Sequence, residues 1–301
     1  MGGFSGVTLI GFGEVGQTLG ADLLAAGAEV AAYYILFANE DSAPSRALSR
    51  IPVRAAANPT DAVRDAELIV CAVTAASDLE AARSAAPGLA PGTFFMDVNS
   101  VSPGMKQACA CVIEAAGGRY VEAAVMTPIA PKRVASAMLL GGPHTEEFVE
   151  RAQALGFTGA KPFSKVLGQA SATKMCRSVI IKGTEALLCE SLLAERHYGV
   201  DKTVLDSLSD LLPVGDWEKL ARYFISRTLE HGARRAEEMR ESAKTVAEAG
   251  IEPLMTSATA EREDWSAQHK HALAHMDDLG AMLDAIRKEM DTHAAPSKAA
   301  E

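Results

Sequence analysis

The chain has 301 residues, of which 48% are hydrophobic and 23% charged, a composition typical of a globular protein and long enough for two domains. It carries 29 basic and 39 acidic residues, for a formal net charge of −10. This balance argues against a nucleic-acid partner, because neutralising phosphates requires the opposite sign.

Secretion and membrane insertion are not expected either. Residues 1–6 hold no basic stretch and no long apolar run, so they do not resemble a signal peptide. The apolar segments elsewhere are too short to cross a bilayer. The five cysteines show no disulfide or zinc-binding spacing, and an odd number in apolar contexts is typical of reduced thiols. We therefore expect a cytoplasmic protein without a membrane partner.

The first half of the chain alternates between strand and helix patterns. A helix is predicted over residues 15–26, where Leu and Ala are frequent. Strands are predicted over residues 7–10, 29–35, 67–73, 93–97, 120–125 and 137–140. This alternation is typical of βαβ units in a mainly parallel sheet. Strands that are apolar throughout are expected where both faces of the sheet are buried.

Beyond residue 163 the pattern becomes helical throughout. Apolar positions recur at helical spacing from residue 168 to about 198. Further helices are predicted over residues 201–211, 216–249 and 253 to about 290, and residues 292–301 resemble a frayed tail. The sequence therefore predicts an α/β fold with a doubly wound Rossmann domain over residues 1–163 and an all-α domain over residues 164–301.

A glycine-rich turn directly follows the first predicted strand and matches G-x-G-x-x-G. Gly11 permits the tight turn, Gly13 lets the backbone approach a pyrophosphate, and Gly16 allows close helix–strand packing. The unpaired N–H groups at the helix start then face the anion. The predicted phosphate-binding residues of a dinucleotide site are Gly11, Phe12, Gly13, Glu14, Val15 and Gly16.

The ribose end of this predicted site departs from the usual pattern. An Asp or Glu is expected at the tip of the second strand to hold the ribose of NAD, but Tyr34 stands there. Losing the acid removes a repulsion against the 2′-phosphate of NADP. We therefore expect NAD(P) as the cofactor, with a slight lean to NADP. Tyr34 is either an adenosine contact or a residue that simply packs in its strand.

Two further motifs follow later in the chain. Residues 97–103 read Asp-Val-Asn-Ser-Val-Ser-Pro, and residues 168–174 read Gly-Gln-Ala-Ser-Ala-Thr-Lys. With the glycine turn, they resemble the β-hydroxyacid dehydrogenase superfamily, which includes 3-hydroxyisobutyrate and 6-phosphogluconate dehydrogenases. The first looks like the family's D-x-S-T-x-S-P loop, and the second like the start of the helix that carries the catalytic lysine. The later helices look like a little-characterised branch with a 6-phosphogluconate-dehydrogenase-like C-terminal domain.

The resemblance implies an NAD(P)-dependent oxidoreductase that transfers a hydride between a nicotinamide and a β-hydroxy acid or a related alcohol or carbonyl. It makes Lys174 the proton carrier and Ser100 a second catalytic residue. An amine on a rigid helix can take and return the hydroxyl proton once burial or a neighbouring cation lowers its pKa. Arg177 and Lys182 are candidates for that cation or for binding a substrate carboxylate.

The resemblance also implies contacts around these two residues. The further expected cofactor contacts are Val73, Thr74 and Asn99. The expected substrate contacts are Ser100, Val101, Met126, Thr127, Arg177 and Ser178. Residues 99–102 have a structural interpretation as well, a turn that caps a helix beginning near Pro103, and both interpretations can hold at once. Family members of this shape pair through their helical domains, so a homodimer is expected.

Two departures from the family pattern concern the substrate. Met126 and Thr127 stand where the family often has small residues in a Ser-Gly-Gly loop, and Arg177 replaces an asparagine one turn beyond the lysine. Substrate recognition should therefore differ from that of 3-hydroxyisobutyrate dehydrogenase. From Met126 we expect a bulkier or more apolar substrate.

Two alternative functions stay open. An imine reductase shares this architecture and reduces C=N in place of C=O; Lys174 favours alcohol chemistry over it without excluding it. A non-catalytic dinucleotide-binding sensor would explain the altered substrate loop and the missing ribose acid.

No metal site is expected from the sequence. Of three histidines near the C-terminus, His269, His271 and His275, the last two have the i, i+4 spacing of metal ligands on a helix. The surrounding Lys and Asp residues indicate a solvated helix face instead.

Overall fold

The computed structural model describes residues 2–208 and 212–294. By compactness the chain divides into two units, Met1–Cys176 and Arg177–Glu301. The division falls within a long helix, Gln169–Tyr198. The domain boundary near residue 163 expected from the sequence stays a prediction.

In the described part of the chain, the first unit is built on an eight-stranded sheet. The strands are β1 (Gly6–Ile10), β2 (Glu29–Tyr33), β3 (Arg54–Ala55), β4 (Leu68–Cys71), β5 (Phe94–Asp97), β6 (Arg119–Val125), β7 (Met138–Gly141) and β8 (Ala160–Ser164). Their order is β3-β2-β1-β4-β5-β6-β7-β8. Every neighbouring pair is parallel except β6 and β7. The chain reverses its direction of winding between β1 and β4, which is where open α/β sheets bind ligands.

Helices cover both faces of this sheet. They are α1 (Glu14–Ala25), α2 (Ala43–Ala47), α3 (Pro59–Val63), α4 (Asp78–Ala85), α5 (Pro103–Ala115), α6 (Ile129–Lys132) and α7 (Thr145–Ala152). One apolar cluster joins β1 and β5 to α1 and α7, and a second joins the opposite face to α3, α4 and α5. Every residue of β4 and β5 is buried. The predicted doubly wound sheet with two covered faces is confirmed.

The sequence did not predict β3 and β8, and it made β2 two residues too long. Both missed strands lack an apolar run: β3 has two exposed residues, and the exposed middle of β8 reads Lys-Pro-Phe. They lie at the two edges of the sheet, where charged residues and proline are common because one side of the strand pairs with nothing. After β2 the chain turns into a short 3-10 helix, Ile35–Ala38.

The second unit is helical, as predicted. It contains the rest of α8 (Gln169–Tyr198), then α9 (Asp201–Leu208), α10 (Trp217–Glu248), α11 (Leu254–Ser266), a 3-10 segment (Ala267–His275) and α12 (Leu279–Ala294). Its apolar core includes Leu192, Ile225, Leu229, Met282 and Ile286. Among the described residues, no helix has the length and apolarity needed to span a membrane.

Two predicted element boundaries in this unit were wrong, and a third lies outside the described residues. The helix predicted from 253 to about 290 is interrupted by the 3-10 segment, where His269 has non-helical φ and ψ of −103° and 29°. The predicted tail begins at residue 292, but α12 continues to Ala294. Residues 209–211, the predicted end of the helix from 201, lie outside the described residues, as do residues 295–301.

Candidate active site

The glycine turn joins β1 to the N-terminus of α1. Gly11 has a φ of +103°, and a Cβ there would lie 2.2 Å from the carbonyl oxygen of Ala72. A Cβ on Gly16 would lie 2.2 Å from the carbonyl oxygen of Gly11. Around Gly13, the N-cap of α1, a Cβ would meet nothing within 4 Å. The turn therefore needs Gly11 and Gly16 for its own packing, while Gly13 leaves open space over the helix N-terminus. That arrangement fits a pyrophosphate.

The side chains within this turn differ in what they can offer a ligand. Phe12 is fully buried against Phe37, with ring centroids 5.5 Å apart, so only its backbone is available. Glu14 is exposed in the first turn of α1, and Val15 is half-buried. Phosphate binding here would rest on backbone N–H groups.

Tyr34 follows β2 at the predicted ribose position. Its ring is half-buried and meets Phe37 edge-on at 6.2 Å. Downstream, the Ser45 hydroxyl donates to the carbonyl oxygen of Asn39 at 2.8 Å, and the exposed Arg46 guanidinium donates to the carbonyl oxygen of Asp41. Tyr34 therefore packs against Phe37 just beyond the end of β2, and its contact with an adenosine stays a prediction.

Asn99 connects the loops that follow β4 and β5. Its Oδ1 accepts from the backbone N–H of Val73 at 2.8 Å, and its Nδ2 donates to Asp78 at 2.7 Å. Its own backbone N–H donates to Asp97 at 2.9 Å. Asn99 is buried, with 6% of its surface exposed. Its amide thus positions the Val73 loop, next to the exposed Thr74, through hydrogen bonds to protein groups.

A buried charged network lies beneath this loop. The Lys106 ammonium lies 2.8 Å from the carboxylate of Asp97, which also accepts from the hydroxyl of Tyr120 at 2.6 Å. All three side chains are buried. Sequence reasoning missed Lys106, although a signal existed. Lys106 shares one helix face, at spacings of three, four and seven, with buried Cys109, Ala110 and Ile113.

Asp78 should make the folded protein less stable as the pH rises. Burial, reinforced by the charge of Asp97, raises the pKa of Asp78 from 3.8 to about 8. Between these values the folded state binds a proton that the unfolded state releases, so the free energy of unfolding falls as pH rises from about 4 to about 8. One such group contributes a slope of up to about 1.4 kcal/mol per pH unit.

We expect Asp78→Asn, which resembles the protonated carboxyl, to flatten this slope. The measurement is urea denaturation of both proteins at pH 5, 6, 7 and 8. The control is Asp65→Asn, because Asp65 is exposed. Parallel curves for the wild type and Asp78→Asn would show that Asp78 titrates normally in the folded protein.

Lys174 and Ser100 are in direct contact. Lys174 lies in the second turn of α8, and its Nζ donates to the Oγ of Ser100, in the loop after β5, at 2.6 Å. One turn earlier, the hydroxyl of Ser171 donates to the carbonyl oxygen of Val101. The structure thus brings the two predicted catalytic residues together. The side chain of Val101 is fully buried, so only its backbone is accessible to a substrate.

The structural interpretation of residues 99–102 holds as well. Ser102 is the N-cap of α5 and accepts from the backbone N–H of Met105 at 3.3 Å, with Pro103 in the first turn. Ser102 therefore terminates the loop, while Ser100 points to Lys174. The capping interpretation is therefore confirmed, and the contacts of this segment with cofactor and substrate stay a prediction.

Glu122 on β6 is a second residue that the sequence analysis missed. Its carboxylate is buried and accepts from the backbone N–H groups of Gly168, at 2.6 Å, and of Ser171. These N–H groups open α8, where a negative charge is favourable. Burial raises the pKa of Glu122, and the two backbone hydrogen bonds oppose that rise. Glu122 thus fixes the start of the helix that carries Lys174. A charge within the apolar run of β6 was the available signal.

Removing this carboxylate should destabilise the first unit. We expect Glu122→Ala to lower the free energy of unfolding by about 2–4 kcal/mol, because two buried charge-assisted hydrogen bonds are lost. Glu122→Gln, which keeps one acceptor, should lose less. Chemical denaturation measures both against Glu114→Ala, an exposed glutamate on α5. Equal stability of Glu122→Ala and Glu114→Ala would contradict a capping role.

The remaining predicted substrate residues lie in two places. Met126 and Thr127 follow β6 at the same edge of the sheet as Ser100; Met126 is half-buried and Thr127 exposed. Arg177 and Ser178 lie further along α8, in the second unit, where Arg177 is exposed. Lys182, the other candidate cation, is buried and paired with Glu238 at 2.5 Å. Burial lowers the pKa of Lys182.

The N-terminal part of the chain matches a known family model. The model of the NAD binding domain of 6-phosphogluconate dehydrogenase covers residues 6–168. The chain belongs to this family. A second model, Domain of unknown function (DUF1932), matches residues 196–266. The match to a little-characterised branch of 6-phosphogluconate-dehydrogenase-like proteins, inferred from the sequence, is confirmed. The family also supports a nicotinamide dinucleotide as the cofactor.

Solved structures agree with this assignment. A conserved hypothetical protein from Sinorhizobium meliloti is 33% identical, with a TM-score of 0.76 over 94% of this chain and 96% of the other. A conserved protein of unknown function, described as structurally similar to 3-hydroxyacid dehydrogenases, is 28% identical, with a TM-score of 0.70 over 87% and 97%. A 3-hydroxyisobutyrate dehydrogenase from Mycobacterium tuberculosis shares the fold at 18% identity, with a TM-score of 0.69 over 94% and 99%. The chain thus shares its fold with proteins similar to 3-hydroxyacid dehydrogenases.

Proposed function

We propose that the protein is an NAD(P)-dependent oxidoreductase that interconverts a β-hydroxy acid, or a related alcohol, and the corresponding carbonyl compound. The observation that carries this proposal is the 2.6 Å contact between Lys174 Nζ and Ser100 Oγ. The Ser100 loop follows β5, and the glycine turn follows β1. Because the strands from β1 to β5 are parallel, both segments lie at the carboxyl edge of one sheet, where such folds bind ligands.

The residues of this chain supply binding and proton transfer. The glycine turn offers the backbone N–H groups of α1 to a pyrophosphate, and the bound dinucleotide supplies the hydride acceptor or donor. In the direction of oxidation, the amine of Lys174 takes the hydroxyl proton of the substrate at Nζ, and in reduction it returns a proton to the forming alkoxide. Ser100 orients that amine by accepting its hydrogen bond.

We propose that the protein has a slight preference for NADP over NAD. Tyr34 stands where a carboxylate would repel a 2′-phosphate, and the exposed guanidinium of Arg46 is tethered in the segment that follows. Comparing kcat/KM for the two cofactors checks this. A clear preference for NAD would show that neither residue meets the 2′ position.

Two further proposals concern the size of the substrate and the oligomeric state. The half-buried Met126 replaces a small residue of the family pattern, so we propose a bulkier substrate than 3-hydroxyisobutyrate. By family resemblance we also propose a cytoplasmic homodimer. Size-exclusion chromatography with light scattering tests the dimer. A turnover preference for 3-hydroxyisobutyrate over larger hydroxy acids would contradict the proposed substrate size.

The proposed activity is tested by following absorbance of the reduced nicotinamide. Small, aromatic and sugar-derived β-hydroxy acids are offered with NAD and with NADP, and ketones, semialdehydes and cyclic imines with the reduced cofactors. Turnover of hydroxy acids or their carbonyl products is the expected result. Turnover of imines alone would identify an imine reductase. Cofactor binding without any turnover would favour the non-catalytic sensor.

A further inference from the structure

The expectation of a solvated histidine face near the C-terminus was wrong for one of the three residues. His269 is buried, with 5% of its surface exposed, whereas His271 and His275 are exposed. The three lie on the 3-10 segment Ala267–His275, not on an α-helix, so the i, i+4 spacing of His271 and His275 does not have its usual geometry. The residues that come together are His269, His271 and, from α12, Glu289.

The two histidine rings converge on one carboxylate oxygen of Glu289. The Nδ1 of His269 lies 2.7 Å from Oε2 of Glu289, and the Nδ1 of His271 lies 3.3 Å from the same oxygen. All three potential ligand atoms lie within 4.8 Å of one another. A tetrahedral site with bonds of about 2.0–2.1 Å places its ligand atoms roughly 3.3 Å apart, so small side-chain adjustments suffice to admit an ion.

The second nitrogen of His271 fixes how its ring is protonated when neutral. Its Nε2 lies 3.3 Å from the carbonyl oxygen of Ala285, which can only accept a hydrogen bond. Nε2 therefore carries the proton, and Nδ1 presents a lone pair toward Glu289. A histidine that donates its other N–H to a backbone carbonyl is also the usual arrangement of a metal ligand.

The ring of His269 is fixed independently. Trp265 packs on it, with ring centroids 4.3 Å apart, and the rings of His269 and His271 are 6.2 Å apart, nearly perpendicular at 70°. Trp265 shields one side of the cluster, and the partly exposed Glu289 and His271 leave a path for an ion from solvent.

We propose that His269, His271 and Glu289 bind a divalent transition-metal ion, Zn²⁺ in the first instance. Two imidazoles and one carboxylate suit Zn²⁺ and leave a fourth position for water. The ligands come from two consecutive elements, the 3-10 segment and α12. The bound ion therefore joins them and stabilises the end of the helical unit. This inference does not rest on the proposed oxidoreductase activity.

The test measures Zn²⁺ binding to the full-length protein after treatment with a chelator. Titration calorimetry should give one Zn²⁺ per chain, and Zn²⁺ should raise the thermal midpoint, whereas Mg²⁺, which prefers all-oxygen sites, should not. The variants are His271→Ala and Glu289→Gln, because His271 and Glu289 are 48% and 33% exposed in their side chains and tolerate substitution better than buried His269. Losing an outer-shell partner already costs about 10–100-fold in affinity, so each variant should bind at least about 100-fold more weakly.

Two controls separate this site from other binding. His275→Ala changes an exposed histidine of the same segment and should bind Zn²⁺ like the wild type. A Cys111→Ser/Cys176→Ser double variant removes the two exposed thiols, and it should also bind normally. With Co²⁺ as the probe, the absorption spectrum should lack a thiolate charge-transfer band. The proposal would be overturned if Zn²⁺ did not stabilise the wild type, or if it stabilised His271→Ala and Glu289→Gln as much as the wild type. The cluster would then hold only histidine–carboxylate hydrogen bonds.

Discussion

Replacing Lys174 by alanine should strongly reduce turnover while the protein still binds its dinucleotide. A positioned proton carrier contributes about 10²–10⁴-fold to rate, so kcat/KM should fall by that factor. The phosphate-binding turn lies on β1 and α1, whereas Lys174 lies on α8. Cofactor affinity should therefore change by less than about threefold.

The measurement combines steady-state kinetics on the best substrate of the panel with titration of the reduced dinucleotide. Lys165→Ala provides the matched control, since Lys165 is highly exposed and pairs with Glu146 only at 3.7 Å. Ser100→Ala should give a smaller loss of kcat, because Ser100 acts through the position of the amine. Added small primary amines should partly restore the activity of Lys174→Ala. Undiminished turnover by that variant would remove Lys174 from the mechanism.

The features that could be predicted from the sequence are those that produce a pattern over a few neighbouring residues. Apolar runs located β1, β4 and β5, because strands buried on both faces are apolar at nearly every position. The glycine turn was predictable because its G-x-G-x-x-G spacing is a local pattern that directly follows a predicted strand, although the close contact that requires Gly11 is with Ala72, far along the chain. The pairing of Lys174 with Ser100 spans 74 positions, and it was available only through resemblance to a family.

The features that were missed depend on partners far away in the chain. Glu122 accepts from the backbone N–H of Gly168, 46 positions later, at the start of α8. The polar atoms of Asn99 are committed to Asp78 and Val73, 21 and 26 positions earlier. Local periodicity cannot show such pairings. It shows only that a polar group stands where an apolar one is expected, and burial then requires a partner.

The break after α11 has a similar cause. No proline or glycine marks the change to the 3-10 segment at Ala267–His275, so helical spacing alone predicted a continuous helix. The rings of His269 and His271 instead face Glu289 on α12. Contacts in the folded state can override the weak local preference for an α-helix.

The glycine turn gives the second large expected effect, through variants that separate folding from ligand binding. Gly11→Ala combines a φ of +103° with a Cβ placed 2.2 Å from Ala72 O. It should lower the free energy of unfolding by about 3–5 kcal/mol, the sum of backbone strain and overpacking. Gly13 has a φ of −76°, and nothing lies within 4 Å of its Cβ position, so Gly13→Ala should stay within about 1 kcal/mol of the wild type.

Gly13→Ala, which should hardly affect stability, should weaken dinucleotide binding. The space over Gly13 is where a pyrophosphate would approach the helix N-terminus. A methyl group there should raise the Kd of Gly13→Ala by about 10–100-fold, equivalent to about 1.4–2.8 kcal/mol. Gly27→Ala is the control for strain alone, since Gly27 has a φ of +86° but open space around its Cβ position; it should cost about 1 kcal/mol and leave affinity intact. Denaturation and calorimetric titration of the three variants measure both quantities. If Gly13→Ala bound the dinucleotide as tightly as the wild type, the open space over α1 would not be where the phosphates lie, and the cofactor would have to bind elsewhere along the sheet edge.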